Sequence, residues 1–310
     1  MAPGVAWIFP GQGSQQVGMG KQLAERYPSA QRAFDEANAA LGFDLRALCW
    51  EGPQAELDLT ANAQPSILTT SIAALRAAEE ARGGALPAPV AVAGHSLGEY
   101  SAIVAAGALP LADAVRLVRR RGELMQAADP SGGMAAVIGL DGEAVAHAID
   151  RTGLVVANDN APGQVVVSGP LGAFDAATVA LKSAGAKRVL PLRVSAAFHS
   201  PAMRAVAPDL ATALRSVPWG PLRFPLVANV DADVHADARD LPALLERQVW
   251  SPVRWVELTR RVRDLGATTF IEIGPGSVLS GLVKRIVPDA LTANVSDEET
   301  LKQALSTIGA

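Results

Sequence analysis

The chain has 310 residues, 49% of them hydrophobic and 19% charged, and its formal net charge is −4. That length buries a substantial core, in one large domain or two unequal ones, and the lack of a basic excess argues against a general nucleic-acid binder, which must neutralise phosphates. The single cysteine, Cys49, excludes an internal disulfide and a cysteine-built zinc site and reads as a small buried hydrophobe.

The opening MAPGVAWIFPGQGSQ has no basic n-region and too short an apolar run for a signal peptide. No stretch reaches the roughly 20 uninterrupted apolar residues of a spanning helix. The expectation is a cytoplasmic monomer with no membrane partner. VAWIFP, residues 5–10, reads as a buried strand running into a glycine turn. SILTTSIAALRAAEEARG, residues 66–83, spaces its apolar residues for a helix and ends on Gly83 at the C-cap. PVAVAG, residues 89–94, is a second strand, followed by a sharp turn and a helix to about residue 106. LADAVRLVRRRGELMQAAD, residues 111–129, is another helix.

The pattern then changes. GMAAVIGL (133–140) reads as a strand and DGEAVAHAIDR (141–151) as a helix. LVVANDN (154–160) and QVVVSG (164–169) are strands on either side of a Pro-Gly turn. A helix over 171–185 and a strand over 186–195 complete a β-α-β-β-α-β unit of the ferredoxin-like type. Helix and strand alternate again afterwards: PLVANV (225–230), a helix over 253–265, and TTFIEIGPG (268–276) with its glycine turn. The expected fold is α/β: a hydrolase-like domain with a largely parallel sheet, residues 1–131 and 196–310, carrying an inserted small domain, residues 132–195.

Gly94-His95-Ser96-Leu97-Gly98 fits G-x-S-x-G, whose confirming context is strand, sharp turn and helix. Ser96 then projects from the strand end as a nucleophile, with free N–H groups of the following helix ready for an oxyanion. The other reading is a helix N-cap serine. A nucleophilic serine needs a base. His95 adjoins Ser96 and reads as a packing or hydrogen-bonding residue. His147 falls mid-helix on a solvated face, and His235 in the polar stretch DADVHADARD, a surface loop. Elimination leaves His199, in SAAFHSPAM, as the base; a satisfied structural histidine is the alternative. FPGQGSQQVGMG lacks both P-loop and dinucleotide-loop spacing. It reads either as a phosphate cradle or as a turn presenting the Gln12 N–H to an oxyanion hole. In RRRGELMQ, Arg121 is either a solvated charge or a bidentate anchor for a carboxylate-bearing acyl group.

FPGQGSQ, GHSLGEYSA, RGELMQ, NDNAPGQVVVSG, FHSP and EIGPGSVLSGLVKRI, in that order and spacing, resemble the malonyl-CoA:acyl-carrier-protein transacylase family over essentially the whole chain. The resemblance implies the same hydrolase-like domain with a ferredoxin-like insertion. It implies Ser96 as the nucleophile that becomes malonylated and His199 as the base, oriented by the backbone carbonyl of Gln248 instead of an aspartate. It also implies that Arg121 pairs with the malonyl carboxylate and that the N–H groups of Gln12 and Leu97 form the oxyanion hole. Asn160 matches a position near the active site, and Phe198 goes with malonyl over methylmalonyl. The partners implied are malonyl-CoA and an acidic acyl carrier protein, for which Lys187, Arg188, Lys284 and Arg285 are candidate docking residues. No metal and no organic cofactor is implied. Fatty acid synthesis is the leading context, with a freestanding polyketide acyltransferase or a malonate decarboxylase subunit as variants. Outside the family, a patatin-like serine hydrolase would use an aspartate such as Asp141, in the Asp141-Gly142 dipeptide, and a non-enzymatic scaffold would leave these motifs as coincidence.

Overall fold

The computed structural model describes residues 4–128, 130–194 and 196–309. Asp129, the expected end of one helix, and Ser195, the expected limit of the small domain, lie outside the described residues. Strand β1 (Gly4–Phe9) is followed by four helices, α1 (Lys21–Arg26), α2 (Pro28–Leu41), α3 (Leu45–Glu51) and α4 (Gln54–Leu57). The long α5 (Thr60–Arg82) leads to β2 (Ala91–Gly94), α6 (Gly98–Ala105) and α7 (Leu111–Gln126). Then come β3 (Gly132–Ile138), α8 (Gly142–Ala148), β4 (Val155–Ala161), β5 (Gln164–Pro170), α9 (Phe174–Ser183) and β6 (Arg188–Pro191). The remainder holds α10 (Ala207–Arg215), β7 (Leu226–Val227), β8 (Val234–His235), α11 (Leu241–Gln248) and α12 (Trp255–Asp264). It closes with β9 (Ala267–Ile273), α13 (Val278–Ile286), β10 (Leu291–Val295) and α14 (Glu298–Thr307).

Two sheets result. The first has the order β10-β9-β1-β2-β7-β8, parallel throughout except for the β7–β8 hairpin. Its central strand β1 is buried on both faces because its side chains alternate. Val5, Trp7 and Phe9 enter one core with α5 and α7, while Ala6 and Ile8 enter another with α12 and α13. The second sheet is antiparallel, ordered β4-β5-β3-β6, with α8 and α9 packed on one face through Val145, Ala177 and Leu181. Its β-α-β-β-α-β order is that of a small inserted unit. The protein is thus α/β with a mostly parallel sheet and a separate antiparallel one.

Three boundaries depart furthest from the sequence reading. The long helix starts at Thr60 and passes through Pro65. A proline there removes one N–H from the helix ladder, and the carbonyl left over, that of Ala61, accepts from Arg119 Nη1 instead, at 3.2 Å. The strand expected over 225–230 pairs only at Leu226–Val227, because Asn229 leaves the sheet to bond the turn after β2. The strand expected over 186–195 pairs as Arg188–Pro191 on the edge of its sheet. The C-terminal α13, β10 and α14 were not resolved individually by the sequence pattern. Among the described residues, no helix is long and apolar enough to cross a membrane.

Candidate active site

The turn after β2 is forced tight by its glycines. A Cβ on Gly94 would lie 1.9 Å from the Gly98 carbonyl carbon, and a Cβ on Gly98 would lie 2.0 Å from the Phe9 carbonyl oxygen at the end of β1. Between them Ser96 takes a φ of 49°, a left-handed conformation costly for a residue with a side chain. Asn229 secures that turn, accepting from the Ser96 N–H at 2.7 Å and donating to the Gly94 carbonyl at 2.7 Å. Ser96 is therefore no N-cap; its side chain makes no capping bond to α6.

Ser96 Oγ lies 2.8 Å from His199 Nε2. His199 Nδ1 lies 3.0 Å from the Gln248 carbonyl and 3.1 Å from that of Ser251. Two carbonyls can only accept, so Nδ1 carries the proton and Nε2 presents its lone pair to the serine hydroxyl. Burial, reinforced by the Arg121 charge, pushes the His199 pKa down to about 3, so the imidazole is a free base at neutral pH.

Arg121, on α7, is 1% exposed. Its Nη1 donates to Gln64 Oε1 at 2.8 Å, and its Nη2 to Gln248 Oε1 at 2.9 Å and Ser96 Oγ at 3.1 Å. The guanidinium also lies 5.4 Å from the centre of the Tyr100 ring. It reaches this place because α7 crosses α5 closely: a Cβ on Gly122 would meet the Thr60 carbonyl oxygen at 2.7 Å.

A cavity of about 530 Å³ opens over these groups, within the range of small-molecule sites. Ser96, Leu97, Arg121 and Gln12 line its polar side; Met125, Met134, Val194 and Phe198 give it apolar walls. The backbone N–H groups of Gln12 and Leu97 have no protein acceptor among the described residues, while the Gln12 side chain is tied to Thr60 Oγ1 at 3.1 Å. Two free amides beside the nucleophile are what an oxyanion requires. Phe198 is buried next to His199 in the cavity wall. Among the described residues, no group of three or more His, Cys, Asp or Glu side chains is placed to hold a metal ion.

The other named residues sort differently. His95 Nε2 meets Asn160 Oδ1 at 2.8 Å and its ring lies 5.5 Å from Trp255, so this pair braces the turn. The asparagine in the wall of the cavity over Ser96 is Asn158 and not Asn160. His147 is exposed, in the last turn of α8. His235 is not in a surface loop: it is half-buried in β8, with Nε2 3.4 Å from Asp231 and Nδ1 3.7 Å from Asp240. Asp141 Oδ1 accepts from the Gly163 N–H at 2.7 Å and closes a turn of the small sheet; the partner of Ser96 is a histidine. Lys187, Arg188, Lys284 and Arg285 are all exposed, but Arg285 is also engaged, donating to Gln164 Oε1 at 2.6 Å and to the Pro162 carbonyl. Cys49 is buried, and that burial pushes its thiol up to about 12.

Gln64, Asn229, Glu99 and the side chain of Gln248 escaped the sequence reading. Only Glu99 left a signal, as the one charged residue in the otherwise uncharged stretch 90–112. Burial drives its carboxyl up to about 7.

A family model described as "Acyl transferase domain" matches residues 6–302. The chain is similar to the malonyl CoA-acyl carrier protein transacylase of Bacillus subtilis, at 47% identity over 98% of this chain and 97% of that one. The transacylase of the same name from Escherichia coli K12 is 45% identical over 96% and 97%. A crystal structure of an acyl carrier protein S-malonyltransferase from Vibrio cholerae superposes with a TM-score of 0.93 at 42% identity, covering 97% of this chain and 99% of that one. A malonyl-transacylase solved in complex with its type II PKS acyl-carrier protein matches with a TM-score of 0.93 at 42% identity, covering 98% and 99%.

Proposed function

Because the chain belongs to the acyl transferase family of malonyl-CoA:acyl-carrier-protein transacylases, we propose that it moves a malonyl group from malonyl-CoA to the phosphopantetheine thiol of an acyl carrier protein through an ester on Ser96. The observation that carries this reading is a fully buried guanidinium 3.1 Å from a serine that is itself bonded to a free-base histidine. A plain esterase has no use for that cation; an acyl group ending in a carboxylate does.

His199 Nε2 takes the Ser96 proton as Oγ attacks the thioester carbonyl. The N–H groups of Gln12 and Leu97 receive the oxyanion. Collapse breaks the C–S bond, and the CoA sulfur leaves with the proton from His199. In the second half the carrier's thiol gives its proton to His199 and its sulfur attacks the ester carbonyl; Ser96 leaves and regains the proton. Arg121 holds the malonyl carboxylate throughout, and Phe198 fills the space an α-methyl would need. The Gln248 and Ser251 carbonyls hold the imidazole in the required tautomer.

Residues 132–195 are read as the inserted small domain, and the acidic carrier is placed against Lys284, Arg285, Lys187 and Arg188. A monomer working in the cytoplasm for fatty acid synthesis completes the proposal. A polyketide carrier is the second reading, favoured by the similar transacylase solved with a type II PKS carrier.

The test is single-turnover labelling with radiolabelled malonyl-CoA, with acetyl-CoA as competitor. The expected result is a stable malonyl label on the Ser96 peptide, absent in Ser96→Ala and discharged by carrier protein. In Arg121→Ala the malonyl preference should disappear. Loss of the label to water without a carrier would point to a hydrolase.

A further inference from the structure

Resting on the reading of Arg121 as the acyl-carboxylate anchor, we propose that Glu99 is a positioning residue. Through the side-chain amide of Gln248, its carboxylate holds the Arg121 guanidinium turned toward Ser96 while leaving that cation unpaired for the substrate.

Gln248 Nε2 donates to Glu99 Oε2 at 2.7 Å and to the Ser96 carbonyl at 2.9 Å, which uses both of its N–H bonds. Its Oε1 is thereby turned to Arg121 Nη2, at 2.9 Å. The other Glu99 Oε2 contact is the Asn229 N–H at 3.2 Å, from the residue that pins the Ser96 turn. One buried carboxylate therefore reaches both the anchor and the nucleophile through a single intervening residue each.

The arrangement answers an electrostatic problem. A buried guanidinium is costly without a compensating anion, yet the hydrogen bonds of Arg121 among the described residues go to two glutamines and a serine, none to a carboxylate. A carboxylate bonded directly would occupy the fork that the malonyl group needs. An amide interposed between the two charges supplies the field of the anion without blocking the cation.

The charged and titratable groups whose fields reach Glu99 are Arg121 on α7, Asp231 beyond β7, and Tyr100 on α6 itself. Strands β1 and β2 and α5 also pack on α6; the strands carry no titratable side chain, and α5 carries none before Arg76. Glu99 titrates near neutrality, at about 7, whereas His199 has its pKa near 3. A pH limb near neutrality would thus belong to the carboxyl and not to the base.

The experiment is single-turnover loading of Ser96 by malonyl and acetyl N-acetylcysteamine thioesters, which lack the titrating phosphates of CoA, from about pH 6 to about pH 8.5. Intact-mass measurement follows wild type, Glu99→Gln and Arg121→Ala. In wild type, malonyl loading should rise as Glu99 ionises, while acetyl loading stays flat. Glu99→Gln should lose that limb and about tenfold of the malonyl-over-acetyl preference, the value of one charge-assisted hydrogen bond. A limb that survives in Glu99→Gln, or a preference left intact, overturns the proposal. Should that variant not fold, a flat wild-type malonyl profile, or a limb shared equally by acetyl, overturns it. If Arg121→Ala keeps the malonyl preference, the anchor reading itself fails; if it loses the preference and Glu99→Gln does not, only the positioning role fails.

Discussion

At the residue scale, burial sets the protonation behaviour of the site: it keeps His199 a free base and raises the Glu99 carboxyl to where it ionises near neutrality. His199 has a pKa near 3 in the fold, against 6.5 ordinarily. Below about pH 6.5 the unfolded chain binds a proton that the folded chain refuses, so this contribution to stability is lost as pH falls toward about 3. Glu99 runs the other way, because its raised carboxyl favours the folded state at low pH and loses that contribution as pH rises from about 4.5 to about 7. Between about pH 6.5 and about pH 4 the two effects largely offset in wild type, so urea denaturation should show His199→Gln gaining stability relative to wild type as pH falls through that range. Phe198 carries the prediction about specificity. Phe198→Ala should raise methylmalonyl loading relative to malonyl several-fold, read in a competition assay, and should cost about 3 kcal/mol of stability from the cavity it leaves.

At the element scale, close backbone approaches decide where the functional side chains stand. The turn between β2 and α6 depends on Gly94 and Gly98, and the crossing of α5 and α7 depends on Gly122. Gly122→Ala should push α7 away from the start of α5 by forcing its Cβ against the Thr60 carbonyl. The expected cost is about 1–3 kcal/mol, and because Arg121 precedes that glycine, malonyl selectivity should fall more than acetyl loading does. Equal losses for both substrates would show that the crossing serves stability alone. The turn was legible in the sequence because its two glycines and serine stand between an apolar strand run and a helix, the context that the motif requires. The α5–α7 crossing was not, because a glycine inside a helix shows no partner until the helices meet.

At the scale of the whole molecule, the cavity lies between the two sheets. Met134 and Asn158 come from the antiparallel sheet, and Gln12, Ser96 and Arg121 from the surroundings of the parallel one. Backbone bonds tie the two together: Asp159 N–H donates to the Val253 carbonyl at 3.0 Å and Val253 N–H to that of Ala157 at 2.9 Å. Arg285 adds a side-chain tie from α13 to the turn between β4 and β5. The basic residues expected to meet a carrier therefore separate. Lys284→Glu should raise the carrier KM and leave malonyl-CoA loading unchanged, whereas Arg285→Glu should disturb both, because it also breaks the tie between the sheets. Steady-state kinetics with carrier and malonyl-CoA varied in turn distinguishes them, and unchanged carrier kinetics in both variants would remove α13 from the docking surface.

What the sequence determined by itself was local. The apolar run of β1 and the strand, turn and helix around Ser96 follow from residues close in the chain, and these leave a readable run or motif. Histidine elimination and family resemblance then brought His199 and Arg121 forward. The tertiary structure alone decided the polar network, since Gln64, Asn229 and Gln248 lie 57, 133 and 127 residues from their partners Arg121, Ser96 and Arg121. It alone decided the charge states as well. A pKa depends on how completely a group is taken from water and on which charges face it, and both are properties of the packed chain.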